Sequence, residues 1–244
     1  ALRNLGNGTE RVEEALQKEF PLAKIIRMDV DTTSKKGSHD KMITSFANLE
    51  ADILLGTQIV AKGLDFERVT LVGVINADTS LFIPDFRSSE ATFDLLSQVS
   101  GRAGRSKLEG MVIFQTYNPD HYAIKAAENN DYIAFYQEEM KNRRLMKYPP
   151  YYYLVSLNLA SKDNMLALKE ANKCLKICEK YLDKTIILGP SPAAIFKKQN
   201  IYRYQLILKY KYQDNIYQIL EKLVSYYKTV NHVNLEVDFN PLHL

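Results

Sequence analysis

"ADILLGTQIVAKGLDF", residues 51–66, runs an apolar stretch straight into a polar loop containing a glycine, and the reading of that junction decides the fold. If "DILL" is a strand, Thr57 and Gln58 stand at or just beyond its carboxyl end, where open α/β sheets bind ligands. The run is continuously apolar rather than alternating, as expected of a strand covered on both faces, and hence of a parallel sheet. "KIIRMD" (24–29), "LVGVINAD" (71–78) and "GMVIFQTY" (110–117) have the same character. Helical patterns separate them: one from an N-cap at Thr9 to about Phe20, one over 38–49, and one starting after Ser88 or Ser89. Strand and helix in alternation predict an α/β layer domain.

A further helical stretch, about 132–146, ends at "KYPPYYY". Pro149 and Pro150 cannot continue a helix, and each presses its predecessor towards extended geometry, so a domain boundary is expected near 150. The remaining order is strand (153–161), helix (163–182), strand (186–193), strand (202–209), helix (213–227), strand (233–239). This is βαββαβ, the split βαβ or ferredoxin-like arrangement.

Charge changes at the same place. The chain of 244 residues carries +3 overall, divided as −2 up to Pro150 and +5 beyond it, and eleven of the 16 tyrosines fall in the second part. Phosphates need cations and unstacked bases need flat partners, so this composition suits single-stranded nucleic acid. Alternation on the strand 202–209 offers a plainer use for the aromatics: Tyr202, Tyr204, Leu206 and Leu208 share one face, as core residues would. Arg203 and Lys209 on the other face, with Lys197 and Lys198 nearby, are candidate phosphate contacts, though a solvated face fits their charge equally well.

Other classes find little support. No apolar run reaches the roughly 18 residues of a membrane helix, and no signal peptide opens the chain, so a cytoplasmic protein is expected. Cys174 and Cys178 sit four apart in a helical pattern and read as small core residues. The four histidines lie at no ligand spacing from them, so no metal site is expected. The opening "ALRNLGNGTE" lacks an initiator methionine and a clear first strand, which suggests a fragment or an excised segment.

The remaining unusual stretch is "QVSGRAGR", residues 98–105, where two glycines and two arginines follow an apparent helix. Were that helix to continue, Gln98, Arg102 and Arg105 would fall at i, i+4 and i+7 on one face, both arginines within about 40° of Gln98. Gly101 and Gly104 would each cost a helix interior roughly 1 kcal/mol relative to alanine. Paired guanidiniums can hold a triphosphate and stabilise charge developing in γ-phosphoryl transfer. The same charges could merely satisfy the carbonyls of a helix end. In the preceding stretch, Gly63 permits a close backbone approach, and Asp65 can accept hydrogen bonds from a ribose or pair with an arginine. An ordinary strand-to-loop turn with a solvated Lys62 is the other reading.

Together "GTQIVAKGLDF" and "QVSGRAGR" resemble motifs V and VI in the second RecA-like lobe of superfamily 2 helicases. With "GNGTERVEE", "RMDVDTTSKKG", "INADTSLFIPDFRSSEATFDLLSQVSGRAGR", "FQTYNPDHYAI", "RRLMKYPP" and "LGPSPA", the set resembles the C-terminal portion of the PriA (primosomal protein N′) family along nearly the whole chain. The resemblance implies an α/β RecA-like lobe over 1–150, incomplete at its N-terminus, and an α+β ferredoxin-like domain for DNA and partner binding over 151–244. It implies an ATP- and Mg²⁺-dependent 3′-5′ DNA helicase that recognises stalled forks and D-loops and initiates primosome assembly. Expected partners are forked and single-stranded DNA, the C-terminal tail of single-stranded DNA-binding protein, and other primosome proteins. The expected place is the bacterial cytoplasm, at nucleoid-associated forks.

Site roles carry over to matching residues. Gly63 and Asp65 belong to the nucleotide-facing part of motif V, while Thr57, Gln58 and Lys62 are candidates for the DNA backbone or for relaying nucleotide state to it. Gln98 and Arg102 would line the ATP cleft, with Arg105 as the arginine finger. Lys197, Lys198 and Arg203 remain the DNA candidates of the second domain. The phosphate loop, the DExH-type acid motif and the family's zinc-binding insert have no counterpart here. The chain should therefore hold half an ATP site and, alone, neither hydrolyse ATP nor bind it tightly. A RecG-type helicase would share the two motifs but not "LGPSPA…YRYQLILK…VDFNP". A non-enzymatic scaffold binding branched or single-stranded DNA is the rival class.

Overall fold

In a computed structural model, residues 8–29, 38–57, 66, 68–101 and 110–242 are described. The elements of the first part are α1 (Thr9–Glu19), β1 (Ile25–Met28), α2 (Ser38–Ala47), β2 (Ile53–Gly56), β3 (Leu71–Val74), α3 (Ser88–Ser100), β4 (Met111–Phe114), α4 (Tyr122–Glu128) and α5 (Tyr132–Leu145). β1 pairs in parallel with β2, and β3 in parallel with β4, so the parallel reading of the apolar runs holds. Among the described residues these are two separate two-stranded ladders.

The start of α1 differs from expectation. Gly8 is the N-cap and Thr9 the first helical residue. The Thr9 hydroxyl is turned to the sheet instead, donating to Asp29 Oδ2 at 2.7 Å. A charged neighbour wins that hydroxyl because hydrogen bonds to ionised acceptors are about twice as strong as neutral ones. Arg27 completes the tie between α1 and β1, lying 3.3 Å from Glu10, 3.0 Å from Glu13 and 3.1 Å from Asp29.

Helix α3 buries Thr92, Phe93, Leu96 and Val99, positions spaced to form one stripe. Phe93 stacks on Phe135 at 4.2 Å, and both belong to a core with Ala77, Ile124 and Ala127. Ile124 and Ala127 lie on α4, a seven-residue helix that the sequence pattern does not announce, opened by His121 accepting from Ala123 N.

The second part contains β5 (Tyr153–Ser161), α6 (Asn164–Tyr181), β6 (Ile186–Lys198), β7 (Ile201–Tyr210), α7 (Ile216–Tyr227) and β8 (Asn234–Phe239). Its four strands are antiparallel in the order β6-β7-β5-β8. With one helix after the first strand and one after the third, this is the split βαβ order expected. Asp163 caps α6 by accepting from Met165 N and Leu166 N. The helix then turns Ala167, Ala171, Cys174 and Cys178 inward against Val155, Leu157, Leu159, Tyr204, Leu206 and Leu208. The two cysteines are free and fully buried core residues.

β6 is irregular, with register shifts after Leu188 and after Pro192. At the first shift Gly189 has φ +98°, and a Cβ there would lie 2.5 Å from the Gln205 carbonyl oxygen. Only glycine accepts both conditions without displacing backbone.

Two compact units result: Ala1–Phe82 with Ser89–Phe135, and Ile83–Ser88 with Tyr136–Leu244. The division falls inside α5 rather than at the proline pair near 150. The cause is visible in side chains: Lys209 on β7 donates to the Met146 carbonyl at 3.1 Å, and Arg143 on α5 donates to the Pro149 carbonyl at 3.3 Å. The residues around the prolines are thereby bound to the second unit's own sheet.

Candidate nucleotide and DNA sites

The register of β1 and β2 sets Met28 beside Gly56, so Asp29 and Thr57 emerge together from the carboxyl ends of the two strands. Asp29 is buried and Thr57 exposed. Thr57 thus stands where a sheet-end site requires it. Gln58, Lys62, Gly63 and Asp65 lie outside the described residues. Asp29 is an addition to the candidates, and its only mark in the sequence is its position at the end of "KIIRMD".

Gln98 occupies the last turn of α3, on the side opposite the buried stripe of Phe93 and Leu96. It is exposed, and its amide has no hydrogen-bond partner among the described residues. Helical bonding reaches Gly101, whose N–H donates to the Ser97 carbonyl at 3.1 Å. Arg102 and Arg105 lie outside the described residues, so the single face expected of Gln98, Arg102 and Arg105 is seen only at its first member. An exposed amide, both donor and acceptor, is chemically suited to a nucleotide.

The carboxyl ends of β3 and β4 are joined by Asp78, which is fully buried and carries no local mark in the sequence. Its carboxylate accepts from Thr116 Oγ1 at 2.9 Å, Tyr117 N at 2.7 Å and Asn118 Nδ2 at 2.9 Å. Burial raises its pKa, but these hydrogen bonds outweigh that and hold it below the ordinary aspartate value. It is a clamp that fixes the loop following β3.

In the second unit Lys197, Lys198 and Arg203 come together around one hairpin. Lys197 pairs with Tyr202 and Lys198 with Ile201, across a turn at Gln199 and Asn200 whose φ values are 54° and 59°. Positive φ at two successive turn residues is the geometry that suits the twist of a two-residue hairpin. Lys197 Nζ lies 4.7 Å from the Tyr202 ring centroid, and both lysines are exposed. Arg203 is half-buried, with Nη1 donating to the Ile201 carbonyl at 3.3 Å.

Lys209 must be withdrawn from the phosphate candidates. It shares Arg203's face of the strand yet is buried, its ammonium 3.4 Å from the Tyr148 ring centroid and bonded to Met146. Burial lowers its pKa, with Lys147 adding to the effect. The expectation that the tyrosines of β7 join the core holds for Tyr204, which lies in the core cluster.

Among the described residues no helix is long and apolar enough to cross a membrane, and no group of three His, Cys, Asp or Glu residues could hold a metal ion.

Comparison with known proteins covers both units. The helicase conserved C-terminal domain matches residues 5–107, and the primosomal protein N C-terminal domain matches residues 144–242. Replication restart protein PriA of Bacillus subtilis (strain 168) is 50% identical over 244 residues, covering 98% of this chain and 30% of that protein. PriA of Synechocystis is 41% identical over 244 residues, covering 100% of this chain and 29% of the relative. PriA of Haemophilus influenzae is 38% identical over 210 residues, covering 84% and 28%. The chain therefore spans about a third of the length of the curated relatives it matches. Helicase domain followed by primosomal domain, matched in this order along one chain, makes it a member of the PriA family, corresponding to that family's C-terminal portion.

Proposed function

We propose that this chain supplies the second half of the ATP site, and a DNA- and partner-binding domain, to a 3′-5′ helicase that acts at stalled forks and D-loops and initiates primosome assembly. The observation that carries the reading is the continuous similarity to PriA proteins over both units. Gln98, exposed on the last turn of α3 and without a partner among the described residues, agrees with it.

Bound ATP and Mg²⁺ would supply a phosphoryl group able to transfer to water. This chain's share is positioning and charge. Gln98 and Arg102 hold the nucleotide, with Gly63 and Asp65 facing it from motif V. Arg105 places a permanent cation where negative charge grows in the transition state. Thr57, Gln58 and Lys62 belong to the same sequence stretch as Gly63 and Asp65, so a change at the nucleotide reaches the DNA backbone through a few peptide units. Lys197, Lys198 and Arg203 hold DNA phosphates in the second domain. That domain also takes part in docking the acidic tail of single-stranded DNA-binding protein. The phosphate loop and metal-binding acids come from the other lobe, so the chain by itself is inactive. The whole protein works in the bacterial cytoplasm, at nucleoid-associated forks.

The test is fork-stimulated ATP hydrolysis by the complete protein, wild type against Arg105→Ala, with ATP and DNA binding measured alongside. Loss of roughly a thousandfold or more in turnover with binding retained is expected of an arginine finger. Unchanged turnover would refute the assignment.

A further inference from the structure

Residues 83–88 interrupt the first unit: the chain leaves it after Phe82, packs with the second unit as Ile83–Ser88, and returns at Ser89. This short strap leads directly into α3, the helix that ends with Gln98 in its last turn. It is held by a column of cations and rings. Phe86 stacks on Tyr148 at 4.8 Å with planes 8° apart. Lys209 lies over Tyr148, while the guanidiniums of Arg87 and Arg143 lie 4.2 and 5.1 Å from the Phe86 ring centroid. Arg87 Nη1 also donates to the carbonyls of Pro241 at 3.1 Å and Leu242 at 2.9 Å, and its backbone N–H donates to Asp85 Oδ1 at 2.8 Å.

We propose that Arg87 and Phe86 are positioning residues that transmit DNA engagement by the second unit to Gln98 through α3. The inference rests on the function proposed above and adds the route of coupling. Its physical content is the lack of slack. A strap of six residues can extend to roughly 20 Å, so an unanchored one would absorb a displacement of several ångströms without moving α3. With the anchor at Arg87, one peptide link separates it from Ser88, the first residue of α3. From there the same continuous helix, rising about 1.5 Å per residue, leads to Gln98 in its last turn. The anchoring cations have no need to touch nucleotide or DNA. Arg87 reads the position of Pro241 and Leu242, at the far end of the second unit's chain.

The experiment uses the complete protein with Arg87→Ala, Arg87→Lys and Phe86→Tyr. It measures ATP turnover with and without fork DNA, KM for ATP, fork affinity by fluorescence anisotropy, and amide hydrogen exchange across Ser88–Ser100 with and without fork. In Arg87→Ala the fork-stimulated turnover is expected to fall by about tenfold, within the range of couplings between sites. Basal turnover, KM and fork affinity should stay within about twofold, and the fork-dependent change in exchange should disappear. Phe86→Tyr, which keeps the stack, should retain stimulation. Arg87→Lys keeps the charge but cannot cover Phe86 and reach both carbonyls at once, so it should lose part of it. This milder variant decides the matter if Arg87→Ala folds poorly. Intact stimulation in Arg87→Ala or Arg87→Lys, or a loss matched by weakened fork binding, overturns the coupling role alone. A wild type whose hydrolysis ignores fork DNA overturns the proposed function, and the coupling with it.

Discussion

The Asp78 carboxylate accepts the backbone N–H of Tyr117 at 2.7 Å, tying the loop after β3 to the segment after β4 across 39 residues of sequence. Asp78→Asn keeps the shape but must point an amide N–H at an N–H, leaving a buried donor unpaired. The expected loss is about 1–3 kcal/mol near neutral pH, read from urea unfolding. Because the folded carboxyl has a lowered pKa, its contribution is complete above the unfolded value of 3.8 and is lost as pH falls through the lower folded one. The gap between wild type and variant should therefore stay constant from neutral pH down to about pH 5 and narrow only as the pH falls through about 4 and below. A gap independent of pH would contradict this account.

Gly189 makes a sharper prediction, since its φ of +98° and the Gln205 carbonyl oxygen, 2.5 Å from where a Cβ would stand, both oppose a side chain. Gly189→Ala should cost on the order of 1–3 kcal/mol of unfolding free energy. Gly73→Ala on β3 is the control, because a Cβ there meets nothing within 4 Å. It should change stability by less than about 1 kcal/mol. Equal effects at the two positions would mean that the β6 irregularity yields easily.

What the sequence made legible was whatever rests on local pattern. Continuous Ile, Leu and Val runs announced parallel strands, and alternation on β7 correctly placed Tyr204, Leu206 and Leu208 inside. Features decided by distant partners were not legible. Thr9 has the chemistry of a cap, but Asp29, 20 residues away, takes its hydroxyl. Lys209 alternates onto a polar face, yet Tyr148 and Met146 cover it. The strap at 83–88 reads as a loop, because its partners Pro241 and Leu242 stand 154 and 155 residues beyond Arg87. Of the candidate site, the described residues place only Thr57, Gln98 and the hairpin cations, while the roles of Gln58, Lys62, Gly63, Asp65, Arg102 and Arg105 rest on resemblance.

Cys174 and Cys178 are both fully buried, and the Cys178 hydrogen bond together with burial pushes the Cys174 thiol up. A thiol needs to be a thiolate and accessible to react. Neither cysteine should be labelled by an aromatic disulfide reagent in the native protein at mildly alkaline pH, and both should be labelled on unfolding in urea. Prompt native labelling would place α6 in solvent at least part of the time, against its packing on Tyr204 and Leu206.

Salt dependence separates a DNA surface from a merely solvated one. Lys197 and Lys198 flank a tight turn, exposed, with Lys197 resting on Tyr202 rather than on a carboxylate. Each cation that neutralises one phosphate of single-stranded DNA contributes roughly 0.7 to the slope of log affinity against log salt. In the complete protein, Lys197→Ala/Lys198→Ala should therefore flatten that slope by up to about 1.4 and weaken binding to different base sequences alike. Arg203→Ala should act less, because one of its donors is already committed to the Ile201 carbonyl. Affinity that drops without any change in slope would mean that the double variant disturbs the hairpin itself. An unaltered slope and affinity would leave the +5 balance of the second part as solvated surface, and DNA would have to be sought on another face.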